Sequence, residues 1–348
     1  MKKFTPYIVV FGLLIAGVAY FIYQYSPSTL EKREGDFAVK NIESVTKVRL
    51  TDVKGNTVTL TKKDNKWLVN DRYDVNEGAL GLLFNAIQKI ETNYPTPQNG
   101  EKNVLKDMAR LRNKCEIYVN NNDKPFKVYY VGGSTADGEG TYMIMEREGQ
   151  MAAHSYVTHV PGTKAFLTTR YYPDLENWRS IWVLRDNDQS IQSLKVTYNR
   201  EVQKSFEVKK VAKDSFVVAN SEGQMLEQPK QKFIHQYLNF YNELPLEVYQ
   251  NKNKAARDTV TNVTPFCTIV IKRNDGSAAT VTLFYIPVNE QTRVQYDDEG
   301  RKLVYDIEHY YITFNNNEDF AMVQFYTWGK VLHTYQDFFV KPAQPKNQ

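Results

Sequence analysis

Two cysteines in a chain of 348 residues are too few for a disulfide framework, and their spacing fits no zinc pattern. No excess of one charge stands out either: 44 basic and 40 acidic residues leave a formal net charge of +4, and no basic block marks a surface for nucleic acid. The five histidines are scattered. His154 and His159 are an odd number of positions apart, so on one strand they point to opposite faces and cannot share a metal ion. No Ser, His and acid grouping carries a nucleophile elbow. The glycine-rich stretch at residues 132–140 lacks the Lys-Ser or Lys-Thr and the following helix of a phosphate loop, and reads as a hairpin connection. Asp297-Asp298-Glu299-Gly300 reads as a solvated turn rather than a catalytic pair. No cofactor, metal or catalytic residue is therefore expected, and the chain is expected not to be an enzyme.

Long apolar runs are equally scarce, with one exception. Residues 7–23, YIVVFGLLIAGVAYFIY, carry no charged side chain and follow Lys2 and Lys3. At about 1.5 Å per residue the run is just long enough to cross bilayer hydrocarbon. Residues 1–25 are thus expected to form a single transmembrane anchor. The lysines ahead of it place the N-terminus in the cytoplasm and the body in the periplasm of a bacterium, at the inner membrane. Gly17-Val18-Ala19 leaves open a cleaved secretory signal, although Tyr20 to Tyr23 carry the apolar run through that cut. Residues 26–38 read as a short polar tether that keeps the body close to the membrane surface.

What remains has the composition of a folded protein, with 42% hydrophobic and 13% aromatic residues. Alternation predicts a three-stranded meander: Val45, Val48 and Leu50, then Val58 and Leu60, then Trp67 and Val69, separated by Lys54-Gly55-Asn56 and Lys63-Asp64-Asn65 turns. Leu80, Leu83, Phe84, Ile87 and Ile90 have helical spacing, with Asp74 or Asn76 as the cap. A short helical piece near Val104 to Leu111 precedes strands through Cys115, Ile117 and Val119, through Val128 to Val131, through Tyr142 to Met145 and through His154 to Val160. Gly162 is expected to open another helix.

The same order recurs from Ser190. Ser44, Val45, Val48 and Leu50 answer Ser190, Ile191, Leu194 and Val196, and Trp67-Leu68-Val69 answers Phe216-Val217-Val218. The helix through Ile87 and Ile90 answers one through Ile234, Leu238 and Tyr241. Cys115 answers Cys267, Tyr142-Met143-Ile144 answers Tyr310-Tyr311-Ile312, and Gly162 answers Gly329, after which Val331, Leu332, Tyr335, Phe338 and Phe339 form a helical stripe. The expected fold class is α+β: the anchor, then two tandem repeated lobes of mainly antiparallel sheet with packed helices, at residues 39–181 and 182–343, and a tail at 344–348. Both cysteines are expected to be free buried thiols.

Gly55-Asn56-Thr57-Val58-Thr59-Leu60, Lys66-Trp67-Leu68-Val69-Asn70-Asp71 and Tyr130-Val131-Gly132-Gly133-Ser134-Thr135, with Gly140-Thr141-Tyr142, resemble the bacterial domain-of-unknown-function family 4340. The likeness is clearest over residues 45–162 and weak in the second copy. It implies a membrane-anchored envelope protein, and a similar domain is associated with the auxiliary subunit of a gliding-motility ABC transporter. It implies no catalytic or ligand residues. The expected function is a non-enzymatic interaction or scaffold protein, an accessory subunit of an envelope transport, export or gliding-motility assembly, with membrane protein subunits as partners. The alternative is a periplasmic module that binds cell-wall glycan or peptide, for which Tyr171, Tyr172 and Trp178 are the candidate surface. An enzyme whose groups converge only in three dimensions is a third possibility, which a deep pocket with carboxylates or histidines would favour.

Overall fold

In the computed structural model, residues 15–18, 34–227 and 229–338 are described. The transmembrane anchor expected at 1–25, most of the tether and the tail at 344–348 lie outside these residues. Residues 15–18, from the middle of the apolar run, are helical, with Ile15 and Val18 exposed. Among the described residues no helix is long and apolar enough to cross a membrane.

The protein is α+β, built mainly of antiparallel sheet, and divides between Ser180 and Ile181 into two compact lobes. The first holds β1 (Val45–Asp52), β2 (Thr57–Lys63), β3 (Lys66–Val69), β4 (Tyr73–Asp74), α1 (Glu77–Lys89), β5 (Glu91–Pro95) and α2 (Gln98–Leu111). It continues with β6 (Asn113–Val119), β7 (Lys127–Ser134), β8 (Thr141–Arg147), β9 (Gln150–Met151), β10 (Tyr156–His159) and α3 (Leu175–Trp178). The meander forms where alternation predicts it. Its β2–β3 turn works because Asp64 and Asn65 both accept positive φ, at 48° and 64°, which matches the twist of the flanking strands. Helix α1 starts at Asn76, whose side chain accepts the Gly78 and Ala79 N–H groups at 3.1 and 3.2 Å. Its buried Leu80, Leu83, Ala86 and Ile87 share a core with Val48, Leu50, Leu60 and Ile117 of the sheet.

The second lobe holds β11 (Trp182–Leu184), β12 (Ile191–Tyr198), β13 (Phe206–Ala212), β14 (Ser215–Asn220), α4 (Gln231–Asn239), β15 (Leu244–Pro245), β16 (Val248–Tyr249) and α5 (Lys254–Thr261). Strands β17 (Cys267–Arg273), β18 (Ala278–Pro287), β19 (Tyr305–Phe314) and β20 (Asp319–Gln324) follow, then α6 (Phe325–Trp328). Its main sheet runs β14-β13-β12-β17-β18-β19-β20-β16, and the first lobe's sheet contains β3-β2-β1-β6-β7-β8-β10-β5. The two orders correspond strand for strand. In each the first long strand is bulged near its start, between Val45 and Lys47 and between Ile191 and Ser193. The buried positions Leu80, Leu83 and Ile87 of α1 recur at the same spacing as Ile234, Tyr237 and Tyr241 at α4.

Several expectations need correction. Aligned through the shared bulges, Leu50 pairs with Cys115 where Val196 pairs with Ile269, so Cys267 stands opposite Asn113 rather than Cys115. Met143 likewise matches Ile312, one residue from the position expected. No continuous helix follows Gly162; the helical stretch expected there is broken into a 3-10 turn at residues 168–171 and the four-residue α3. The stripe after Gly329 is two 3-10 turns, Gly329–Val331 and Tyr335–Phe338, because Asp337 accepts the Thr334 N–H at 2.8 Å and restarts the chain. Phe37 and Ala38, expected in the tether, are buried, and Phe37 packs edge-on against Tyr129 and Tyr156. The cysteines are free and buried, as the apolar alternation requires.

Candidate functional site

The candidate rings do not form a surface. Tyr171 is fully buried and meets the Tyr129 hydroxyl at 3.3 Å; Trp178 is buried and donates its indole N–H to the Tyr172 carbonyl at 2.7 Å. Of the three, only Tyr172 is exposed. The glycine-rich stretch is the hairpin connection between β7 and β8, and Gly132 is small for a packing reason: a Cβ there would lie 2.8 Å from Met108 of α2. His154 is held by Glu101 at 3.2 Å. Among the described residues no group of three or more His, Cys, Asp or Glu is arranged to hold a metal ion.

The candidate site lies elsewhere, in the second lobe, where an open groove of about 1400 Å³ has formed at the far end of β18 and β19. Two departures from the shared frame build it. The first is residues 288–304, a long excursion between β18 and β19 where the first lobe has only residues 135–140. The excursion is ordered from within: Leu303 donates to the Gln295 carbonyl at 2.8 Å, and Asp297 accepts the Glu299 and Arg301 N–H groups at 3.0 and 2.9 Å. Those bonds, with the Arg301 guanidinium, hold the Asp297 carboxyl below its usual range, and the solvated turn expected at Asp297 to Gly300 is what forms.

The second departure is a large bulge. Tyr285 pairs with Tyr310, and Pro287 pairs with Tyr305, so four residues of β19 oppose Ile286 alone. Asp306, Ile307, Glu308 and His309 are thereby pushed onto the groove wall. Asp306 fixes the bulge by accepting the Glu308 N–H at 2.7 Å and lying 2.9 Å from His309 Nδ1. Arg293, from the excursion, clamps the Glu308 carboxylate with two guanidinium N–H groups and holds it below its usual range. On the facing wall Lys204 pairs with Glu201 at 2.6 Å.

The floor is aromatic. Phe266 stacks on Tyr285 with ring centres 4.1 Å apart, and Tyr285 stacks on Tyr305 at 4.8 Å. Tyr310 packs against Phe266 at 5.0 Å and presents its edge to Phe325 at 6.0 Å. Burial raises the Tyr285 phenol and pushes Tyr310 up to about 12, so both hydroxyls are neutral donors at pH 7. Tyr326 at 93% and Val304 at 70% exposure stand at the mouth with Ile307 and Phe325. At the places of Phe266, Tyr285 and Tyr310 the first lobe carries Arg112, Gly133 and Thr141, so the ladder belongs to the second lobe alone.

The groove brings three carboxylates and one histidine to an apolar, aromatic surface, and each is already partnered. Glu201, Asp306 and Glu308 are each committed to Lys204, His309 or Arg293, and His309 Nε2 lies 3.4 Å from Glu247. No Ser or Cys lines the groove to serve as a nucleophile. The alternation read along β18 and β19 finds their core faces; the bulge and the excursion break that alternation, and a run of two-residue periodicity carries no signal for a site made where it fails. The one available sign is the density of tyrosines at 285, 296, 305, 310, 311 and 326. No protein-family model, curated protein or solved structure matches this chain.

Proposed function

We propose that this protein is a non-enzymatic interaction subunit of the bacterial envelope, anchored in the inner membrane by residues 1–25, with two tandem copies of one α+β unit in the periplasm. The single observation that carries the reading is the asymmetry between two similarly ordered sheets: the first joins β7 to β8 through residues 135–140 alone, while the second spends an excursion and a bulge on an open aromatic groove. Duplication followed by specialisation of one copy accounts for that pattern. Aromatic residues with a rim of paired charges are the composition of a protein interface. The apolar run at 7–23 and the likeness of residues 45–162 to family 4340 support membrane attachment and a role as accessory subunit of a transport, export or motility assembly. The cell-wall alternative has lost two of the three rings it rested on, because Tyr171 and Trp178 are core residues.

The test is isolation of the tagged protein from its own membranes in mild detergent, with mass spectrometry of what accompanies it. A stoichiometric set of membrane proteins that survives washing is expected. Recovery of the intact protein alone would contradict the reading.

A further inference from the structure

The groove's own charges define what it takes. Arg200, Lys204 and Arg293 face Glu201, Asp306 and Glu308, an even balance, and Lys204 and Arg293 are each satisfied by a groove carboxylate. Arg200 is the exception: among the described residues it forms no ion pair with a carboxylate, and it is an exposed lining residue. A polyanion would meet as many negative as positive groups, so the groove does not select nucleic acid or an acidic polymer. One carboxylate beside Arg200, attached to an otherwise apolar ligand, is the complement.

Size and ring geometry narrow the ligand class. At about 1400 Å³ the groove exceeds the range of roughly 300–1,000 Å³ common for small-molecule sites. A sugar platform needs free ring faces; along the floor both faces of Tyr285 are covered, by Phe266 and by Tyr305, which leaves Tyr326 at the mouth as an open face and no platform within the groove. Val304, Ile307 and Leu332 add aliphatic surface that offers a sugar hydroxyl nothing. Tyrosine and arginine around a desolvated apolar centre are instead the residues that dominate protein–protein binding. Neutral phenols, together with Gln324 and Thr334, can bond a peptide backbone.

We infer that the groove binds an apolar segment of a partner protein that carries one acidic residue placed to pair with Arg200. This deepens the interaction-subunit reading and rests on it. Tyr326 and Val304 flank the entering segment, the aromatic ladder lies beneath it, and Arg200 sets its register.

The test uses the full-length, membrane-bound protein in its own cells, with the photocrosslinker p-benzoylphenylalanine replacing Tyr326 and, in a control, replacing Phe126 on the exposed surface of the first lobe. Crosslinks from position 326 are expected to map to one apolar segment containing an Asp or Glu. Arg200→Glu should lower that crosslink at least tenfold, Arg200→Lys should retain most of it, and reversing the partner's acid to Lys should restore it in Arg200→Glu. Crosslinks from 326 to glycan, to lipid or to a segment without an acid overturn the inference, as does an Arg200→Glu yield equal to the parent. If position 326 captures nothing while the protein still co-purifies with partners, the groove assignment fails and the interaction-subunit reading stands. If neither position captures a protein and the chain purifies alone, both fail.

Discussion

Glu146 shows how a single side chain ties the stability of the first lobe to pH. Burial raises its pKa, but hydrogen bonds from the Tyr130 phenol and from Lys114 at 3.0 Å, with the Lys114 charge, outweigh that and hold it below the usual 4.5. A carboxyl depressed in the folded state stabilises it above the unfolded value, and that contribution is lost as pH falls through the folded pKa. Urea unfolding of the first lobe should therefore move to lower urea between pH 6 and pH 3.5. Glu146→Gln should cost about 2 kcal/mol at pH 7, as charge-assisted bonds do, and should flatten that pH dependence. Equal pH dependence in parent and variant would count against this account. Apolar alternation has a period of two, so it cannot distinguish a match from one shifted by two residues; the bulges can, and they set Cys267 against Asn113. Asn113 is buried and its Nδ2 has no hydrogen-bond partner. Asn113→Cys, which installs the second lobe's residue, should leave stability unchanged or raise it by about 1 kcal/mol through relieved desolvation, with the melting temperature following. A clear drop in thermal unfolding would show that the two strands are not equivalent there.

Elements were legible where local chemistry and tertiary burial agree. The meander, α1 and the strands around Cys115 and Cys267 follow from periodicity and turn residues, and Asn76 was one of two caps the sequence offered. Asn76→Ala should destabilise the first lobe by about 1 kcal/mol, measured by chemical denaturation, because two N–H groups at the start of α1 lose their acceptor. An unchanged midpoint would mean that water replaces the cap without loss. Helices failed to appear where apolar spacing competes with chain breakers. After Gly162 the chain meets Thr168 and Thr169, β-branched residues, and then Pro173, and it makes one tight turn. After Gly329 the Asp337 carboxylate gives Thr334 a partner outside any helix, so the apolar stripe is divided. The groove was not legible for a related reason: its residues come from the end of β12, the chain just before β17, the bulge of β19 and the start of α6, and no single window holds them.

For the whole molecule, two sheets with one strand order, of which the second carries the excursion at 288–304 and the four-residue bulge of β19, make the second lobe the place to look for function. The excursion at 288–304 is closed by its own hydrogen bonds, Val288 to the Val304 carbonyl at 3.1 Å among them. Shortening it removes groove wall without touching the core, and loop length alone changes stability only slowly. The most direct measurement compares the full-length tagged protein with a variant in which residues 289–303 are replaced by Asn-Gly, both isolated from their membranes in mild detergent. The same yield and a melting temperature within a few degrees are expected, with the accompanying membrane proteins reduced at least tenfold in the variant. An undiminished set of partners on the shortened protein would contradict the claim that the second lobe's groove is where this protein does its work.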